Sequence, residues 1–272
     1  METTGLKKEY EYLYNDAKTP EEAGKRFYEL IHVLRGNCPW DMEQTHESLR
    51  NNFLEETYEA CDAIDRNDSE NLCEELGDVM LQVYLHSEIA SESKVFDIVD
   101  VINRECEKMI RRHPHIFADE SEKGVDKILR RWENIKRKEH GISTYSARLS
   151  DVPRAFPALM RSQKVQKRAA DAGFDWTDIT GPEEKVIEEL REFQEADSSG
   201  DRNNMQEELG DLLFSVVNVV RFAGFDAEET LNKATDKFIA RFAGMEEEAT
   251  SENKDFGELT PEEMDQLWND IK

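Results

Sequence analysis

The chain has 272 residues, which is enough for one large domain or two small ones. Charged residues make up 35% of it and hydrophobic residues 38%, and glycine and proline are sparse, so the composition argues against wholesale disorder and favours helix. The formal net charge of −26 argues against nucleic-acid polymers and anionic membrane surfaces as partners, because like charges repel, but it is compatible with a nucleotide that carries a divalent cation.

The sequence predicts a soluble, cytoplasmic protein. Its first residues, METTGLKKEY, contain no apolar signal core. The longest apolar runs, near Val79–Leu85 and Leu212–Val220, are too short to span a bilayer. The 4 cysteines include no CxxC pair, and the reduced thiols of a cytosolic protein are the simplest interpretation.

Helical patterns cover most of the chain, and no stretch alternates apolar and polar residues as a strand would. The segment TPEE, at 19–22 and again at 260–263, is typical of a helix start, with Thr as N-cap, Pro in the first turn and Glu three residues after the cap. We therefore predict an all-α fold. The predicted helices lie near 20–35, 46–66, 70–92, 95–112, 125–139, 153–171, 182–198, 203–223, 226–249 and 261–271.

The second half of the chain repeats the first. FLEETYEACDAI at 53–64 resembles VIEELREFQEAD at 186–197, and LCEELGDVMLQVYL at 72–85 resembles MQEELGDLLFSVVN at 205–218. The same offset of 133 residues relates both pairs of segments, without a gap. We predict two tandem helical domains joined by a linker that contains Gly, Ser, Thr and Pro. The predicted bounds are 1–142 for the N-terminal domain, 143–160 for the linker and 161–272 for the C-terminal domain.

Each repeat carries two pairs of acidic residues at i, i+3 spacing, which places each pair on one helical face. In the first repeat the pairs are Glu56/Glu59 and Glu75/Asp78. If the two helices pack antiparallel, four carboxylates converge, and hard oxygen ligands in that number suit Mg²⁺, with Mn²⁺ as a substitute. Glu55 stands beside this cluster and is a candidate for orienting or deprotonating water. The equivalents in the second repeat are the candidate ligands Glu189, Glu192, Glu208 and Asp211, with Glu188 beside them.

A solvated acidic helix face is the alternative interpretation. Among 61 acidic residues, one EExxE string is expected about once by chance, so the motif alone is weak. Three observations favour a site: the ExxD partner lies at the same distance in both repeats, EELGD is identical in both, and each copy runs into an apolar helix. Gly77 and Gly210 add to this, because a mid-helix glycine costs about 1 kcal/mol relative to alanine and so points to close helix approach or room for a ligand.

These acids stand within longer motifs. The first repeat contains CPWDMEQTHESL (38–49), EETYEA, EELGD and RRHPHIF (111–117). The second contains KRAADAGFDW (167–176), EELRE, EELGD, KFIARF (237–242) and LWNDIK (267–272). Across nearly its whole length the chain resembles MazG-type nucleoside triphosphate pyrophosphohydrolases. The resemblance implies an all-α fold in which helices of two chains build four-helix bundles, and hence a homodimer. It also implies hydrolysis of NTPs and dNTPs to a nucleoside monophosphate and pyrophosphate.

The resemblance also implies roles for individual residues. The family's metal acids fall on the candidate ligands named above. Its phosphate-side basic pair falls on Lys237 and Arg241, and the equivalents in the first repeat are Lys108 and Arg112. Family members often have Asn two residues before that lysine, whereas this chain has Thr235, which puts any phosphate or ribose contact of the amide in doubt.

Each of these assignments has a structural alternative. Lys237 and Arg241 could simply pair with surface acids in so acidic a chain. Trp268 is a candidate for stacking on the nucleobase, but a tryptophan on an amphipathic helix is more often part of a core.

The predicted reaction is attack of water on the α-phosphorus, with pyrophosphate as the leaving group and Mg²⁺ held by the four acids of a site. Glu188, or Glu55 in the first repeat, assists as a base, and Lys237 and Arg241 stabilise the β- and γ-phosphates. The resemblance suggests that the C-terminal copy is the main catalyst. Two alternatives stay open: an all-α pyrophosphatase with a narrower substrate such as dUTP, and a non-catalytic helical scaffold that binds nucleotide or a partner chain.

Overall fold

The computed structural model describes residues 7–118, 124, 127–128, 131–132, 135 and 144–271. Every regular element within these residues is a helix, which confirms the predicted all-α fold. The chain divides into two compact units, residues 1–133 and 134–272. Among the described residues, no helix is both long enough and apolar enough to cross a membrane.

The first unit is built around a helical hairpin. A 3₁₀ helix, Lys8–Tyr14, precedes its α-helices. These are α1 (Pro20–Asn37), α2 (Pro39–Glu43), α3 (Arg50–Asp65), α4 (Ser69–Glu92), α5 (Ile98–Arg112) and α6 (Pro114–Phe117). α3 and α4 form the hairpin, and the turn between them contains Asn67 with a left-handed φ of 55°. The Asp68 side chain caps α4 by accepting a hydrogen bond from the backbone N–H of Asn71 at 3.1 Å, so that α4 runs back along α3.

α1 packs across α4 and completes the core of the first unit. The apolar core joins Ile31 of α1 to Leu85 of α4. Arg35, also buried, donates to both carboxylate oxygens of Glu92 at 2.6 and 3.0 Å and to the backbone carbonyl of Gln44 at 2.9 Å. These bonds tie α1 to α4 and to the segment that leads into α3, which fixes the start of the hairpin.

The second unit contains a matching hairpin. Its helices are α7 (Tyr145–Ser150), α8 (Ala158–Ala170), α9 (Thr180–Ser199), α10 (Arg202–Phe222), α11 (Ala227–Ser251) and α12 (Pro261–Asp270), with a 3₁₀ turn at Phe256–Glu258. α9 and α10 form the hairpin. Gly200 ends α9 with a left-handed φ of 72°, and the Asp201 side chain then caps α10. α8 packs against α10, where the Gln166 amide donates to the backbone carbonyl of Phe214 at 2.8 Å.

The helix starts predicted from TPEE are present. Thr19 accepts a hydrogen bond from the backbone N–H of Glu22 at 3.2 Å. Thr260 and Glu263 cap each other reciprocally, at 3.3 Å and 2.9 Å. Local side-chain chemistry alone sets these boundaries, which is why they can be read from short segments.

Other boundaries differ from the prediction. α3 begins at Arg50 rather than near 46, because residues 45–48 form a turn closed by Thr45 and Ser48. α8 begins at Ala158 rather than near 153, directly after Pro157. α7 lies inside the segment 143–160 that was predicted as a linker. The predicted helix over 125–139 falls largely outside the described residues.

Candidate metal centres

Three carboxylates of the first unit converge between α3 and α4. One oxygen from each of Glu56, Glu75 and Asp78 lies within 4.8 Å of the other two. Glu56 comes from α3, and the other two come from successive turns of α4. Glu75 is only 9% exposed, so the cluster lies at the edge of the hairpin interior rather than on a solvated face.

Glu59 is the fourth acid of this cluster. Burial raises the pKa of Glu75, and the nearby charges of Glu59 and Asp78 raise it further. The pKa of Glu56 is raised in the same way, first by burial and then by Asp78 and Glu59. The ionised acids therefore repel one another, and a divalent cation would relieve that repulsion.

The second unit repeats this arrangement between α9 and α10. One oxygen from each of Glu189, Glu208 and Asp211 lies within 4.8 Å of the other two. Glu189 is only 5% exposed. The pKa of Glu192, one turn further along α9, is raised by burial and then by the charges of Glu189 and Glu208. Each hairpin thus brings three of the four acids of its motif within 4.8 Å of one another, and the fourth lies close enough to interact with them.

Lys185 is part of the second cluster, although the sequence analysis did not single it out. Its Nζ lies 2.5 Å from Glu189 Oε1 and 3.2 Å from Glu188 Oε1. The hydrogen bond to Glu189 raises the pKa of Lys185, which keeps the ammonium charged. Its i, i+4 spacing from Glu189 was the available signal. The residue at the same place in the first repeat is Asn52, so the two clusters differ by one positive charge.

A cleft of about 310 Å³ opens beside the second cluster. Its lining consists of Glu192, Glu195, Ala196, Ser199, Asn204 and Glu208. Two of the candidate ligands therefore form its wall. Because the lining is mostly acidic and polar, the cleft suits a cation and a polar ligand better than an apolar one.

The two candidate bases lie at the rims of the clusters. Glu55 and Glu188 each precede the first acid of their cluster by one residue, and both are exposed. One residue turns a helical side chain by about 100°, so neither shares the face of the ligands. Glu55 is nevertheless close enough to contribute to the raised pKa of Glu56.

The basic pair lies on a different helix from the acids. Lys237 is exposed on α11, and the Arg241 guanidinium lies 5.5 Å from the centre of the Trp268 ring. That ring packs at 5.2 Å against Phe238. Within the described residues, neither basic side chain forms an ion pair with a carboxylate. The fold therefore brings Arg241 and Trp268 together, but no ion pair or hydrogen bond within those residues joins this pair to the acids of α9 and α10.

The equivalent basic residues of the first unit are engaged differently. Lys108 forms an ion pair with Glu105, three residues earlier on α5, and Arg112 ends the same helix. Three residues before Lys237 stands Ala234, so no acid competes for that lysine from this position.

Thr235 is turned towards its own helix. Its hydroxyl donates to the backbone carbonyl of Leu231 at 3.0 Å, a hydrogen bond that stays within α11. A ligand would have to compete with this bond for the hydroxyl.

Comparison with known proteins identifies the family. The model of the MazG nucleotide pyrophosphohydrolase domain matches residues 44–117 and 183–243, which contain the first hairpin and all but the start of the second. A nucleoside triphosphate pyrophosphohydrolase/pyrophosphatase MazG of Thermotoga maritima is 42% identical over 257 residues, covering 93% of this chain and 98% of that protein. A nucleoside triphosphate pyrophosphohydrolase of Escherichia coli is 41% identical over 237 residues, covering 86% of this chain and 90% of that protein.

A third relative is longer than this chain. YabN of Bacillus subtilis is 43% identical over 268 residues, which are 97% of this chain but 53% of that protein. The full-length matches and the two domain matches together show that this chain belongs to the family of MazG nucleotide pyrophosphohydrolases.

Proposed function

We infer that this chain is a nucleoside triphosphate pyrophosphohydrolase, which converts NTPs and dNTPs to the nucleoside monophosphate and pyrophosphate. Family membership carries the inference, since relatives that bear this name align with almost the whole chain. The acid clusters support it, because a triphosphate needs cations to offset its charge at the reacting centre.

Mg²⁺ is the cation that the acids fit best, with Mn²⁺ as a substitute. Each cluster offers only carboxylate oxygens, which hard divalent cations prefer, and no thiol or imidazole belongs to either set of acids. Burial of Glu75 adds to the fit, because a buried carboxylate needs a positive partner and no lysine or arginine of the described residues is paired with Glu75. In the first cluster Glu56, Glu75 and Asp78 would hold the ion with Glu59 beside them, and in the second Glu189, Glu208 and Asp211 would hold it with Glu192 beside them.

The side chains around the second cluster have different roles in the proposed hydrolysis. A bound Mg²⁺ lowers the pKa of water and neutralises charge on the leaving group. The oxygen of the attacking water bonds to the α-phosphorus, and Glu188 takes a proton from that water. The bond from that phosphorus to the bridging oxygen breaks, and pyrophosphate leaves. Lys185, held beside Glu188 and Glu189, offers its ammonium to a phosphate oxygen. Glu55 has the role of Glu188 in the first cluster.

The basic pair and Trp268 bind the ends of the substrate. Lys237 and Arg241 carry two positive charges with no carboxylate partner among the described residues, which leaves them available to the β- and γ-phosphates. Trp268, with Arg241 on its ring, stacks on the base. Lys108 and Arg112 are the weaker equivalent, since Lys108 is already paired with Glu105.

Product analysis tests this function. The chain is incubated with a panel of NTPs and dNTPs and Mg²⁺, and the products are separated by ion exchange. Monophosphate and pyrophosphate in equal amounts are expected. Diphosphate with orthophosphate would show cleavage at the γ-phosphorus and overturn the mechanism. Turnover of one nucleotide such as dUTP alone would favour the narrower pyrophosphatase, and binding without turnover would favour the scaffold.

A homodimer completes the proposed assembly. Both hairpins carry large apolar side chains that are exposed within the single chain. On the first hairpin these include Leu54, Tyr58, Leu76 and Met80, and on the second they include Ile187, Leu190, Leu209 and Leu213. Exposed apolar rows on helices next to the acid clusters are stabilised when another surface buries them. A second copy that completes a four-helix bundle would bury them.

Light scattering tests the dimer. A particle of about twice the chain mass of 31.6 kDa is expected at micromolar concentration. A Leu76→Glu/Met80→Glu double variant should shift the mass towards the monomer, because a charge in an apolar interface is left without a partner. A wild-type particle of 31.6 kDa would contradict the proposal.

A further inference from the structure

Gln82 is a buried polar residue without a full set of partners. It is 4% exposed on α4, and its side-chain oxygen Oε1 has no hydrogen-bond donor among the described residues. A buried carbonyl oxygen that has lost water and gained no donor destabilises the fold, so such groups are rare in native proteins. The donor to this amide oxygen must therefore come from outside the described residues, and a water molecule is one such donor.

Helix geometry places Gln82 directly beside the first acid cluster. It follows Asp78 by four residues and Glu75 by seven, so all three share one face of α4. Side chains on a helix lean towards its N-terminus, and the Gln82 carboxamide consequently leans towards the turn that carries Asp78.

The interactions between α3 and α4 agree with this position of Gln82. Among the charges, Glu59 raises the pKa of Glu75 most and Asp78 raises that of Glu56 most, as expected for two antiparallel helices. One turn before Glu56 on α3 stands Asn52, which this register brings level with Gln82. Asn52 and Gln82, both neutral amides, thus stand one helical turn from the acids.

One of the two equivalent positions in the second unit carries a charge. Ser215 takes the place of Gln82, and Lys185 takes the place of Asn52, with its ammonium 2.5 Å from Glu189. The Lys185 ammonium therefore supplies a positive charge next to the acids of the second cluster. The first has an amide oxygen, a group that accepts a hydrogen bond and cannot stand in for a cation.

We propose that Gln82 is a positioning residue of the first metal centre, and that its Oε1 accepts a hydrogen bond from a water molecule retained by the ion between α3 and α4. The proposal rests on the metal assignment made above. Mg²⁺ and Mn²⁺ keep several waters when carboxylates bind them, and those waters are strong donors. Partners of this kind orient the coordination shell, and their loss typically lowers metal affinity by about 10- to 100-fold.

Mn²⁺ titration followed by electron paramagnetic resonance of the free ion tests the proposal without using activity. The first centre is isolated in the full-length chain by Glu208→Gln/Asp211→Asn, which disables the second. In this background, Gln82→Leu should raise the Mn²⁺ Kd by about tenfold or more. Gln82→Met, which keeps the side chain unbranched, should do the same if Gln82→Leu disturbs folding.

Two further variants separate an acceptor from mere packing. Gln82→Glu restores an oxygen of the same reach and should return the Kd to the parent value or below it. Gln166→Leu is the matched control, because Gln166 is a buried glutamine of the second unit whose Oε1 also lacks a partner among the described residues. It should leave the Kd of the first centre unchanged, and far-UV circular dichroism should report the same helical content for all variants.

The possible failures are distinguishable. A parent background that binds no Mn²⁺ would overturn the metal assignment and this proposal together. Normal binding in the parent with an unchanged Kd in Gln82→Leu and Gln82→Met would overturn this proposal alone. An unchanged Kd with a smaller particle in light scattering would assign the amide to contact between copies instead.

Discussion

The two acid clusters contain the same acids but have different surroundings. Around the second, Lys185 lies within ion-pair distance of Glu188 and Glu189. Around the first, the described residues include no lysine or arginine paired with Glu56 or Glu75, and the pKa values of both acids are raised. Identical ligands therefore do not make equivalent sites, because residues one helical turn away set the local charge.

The basic residues of the two units also differ in their partners. Lys108 is held by Glu105, whereas Lys237 has no carboxylate partner among the described residues, and Arg241 lies over Trp268. The second copy thus keeps more positive charge available for phosphate. This difference leads us to expect that the second copy is the main catalyst and the first binds metal with weaker turnover.

The largest effect should come from removing one ligand of each cluster in turn. Glu208→Gln is expected to lower kcat for ATP by about 100-fold or more, because the ion's contribution to the transition state is several kcal/mol. Glu75→Gln should lower it less. Equal losses would make both copies comparable catalysts, and a greater loss from Glu75→Gln would reverse the assignment.

Removing Lys185 should have the next largest effect. Lys185→Met takes away a charge-assisted contact of about 1.5–3 kcal/mol, so turnover should fall roughly tenfold or more. Asn52→Lys in the Glu208→Gln background should raise the residual turnover, because it gives the first cluster the missing cation. Lys254→Met, at a lysine paired with Glu252, is the control and should change little. A wild-type rate in Lys185→Met would remove Lys185 from the mechanism.

A smaller effect is expected at the basic pair. Lys237→Ala should raise KM for ATP by about fivefold, since an exposed lysine–phosphate contact is worth roughly 1 kcal/mol. Lys108→Ala should leave KM nearly unchanged, because Lys108 is already paired with Glu105. Steady-state kinetics over a range of ATP concentrations checks both. A KM that responds equally to the two substitutions would erase this difference between the copies.

The smallest effect concerns stability without metal. Two like charges about 4 Å apart in water repel by roughly 1 kcal/mol, so Glu56→Gln should raise the metal-free Tm by about 2–4 °C. Glu189→Gln should not, because it also breaks the ion pair with Lys185. Melting curves with and without Mg²⁺ measure both, and wild type should gain more from Mg²⁺ than either variant.

The pH dependence of this effect follows from the pKa of Glu56, which is raised in the folded state. The folded chain then binds the proton more tightly than the unfolded chain, so this group destabilises the fold above its folded pKa. As the pH falls through that pKa, the destabilisation disappears, and the Tm difference between wild type and Glu56→Gln should shrink. A Glu56→Gln protein that melts below wild type without metal would argue for a simple solvated face.

Much of the fold can be predicted from the sequence, because helices and their caps depend on neighbouring residues. The helices predicted near 20–35 and 70–92 are observed at Pro20–Asn37 and Ser69–Glu92. The short helices α2, α6 and α7 were not predicted. Each has six residues or fewer, too few for a periodic pattern to stand out.

The convergence of the acids was also predictable, because spacing on a helix determines which residues share a face. Lys185 and Gln82 were not singled out. A lysine and a glutamine in an amphipathic helix are ordinary surface residues until the opposite helix is known. Lys185 reaches Glu188 and Glu189 within its own helix, and only the distances in the folded chain distinguish this contact from the other lysine–glutamate spacings of the sequence. The burial of Gln82 follows from the packing around α4.

The sequence by itself determined the all-α class, the repeat and the acids that each repeat places on one helical face, since periodicity and spacing are properties of the chain. The tertiary structure alone decided which charges surround those acids. Antiparallel packing brings the acids of two helices together and leaves Gln82 Oε1 buried with no donor in the described chain, whereas Lys185 reaches Glu189 within α9. Electrostatic interactions fall off with distance and strengthen with burial, so the folded chain decides how strongly the sequence difference between Asn52 and Lys185 acts on the acids.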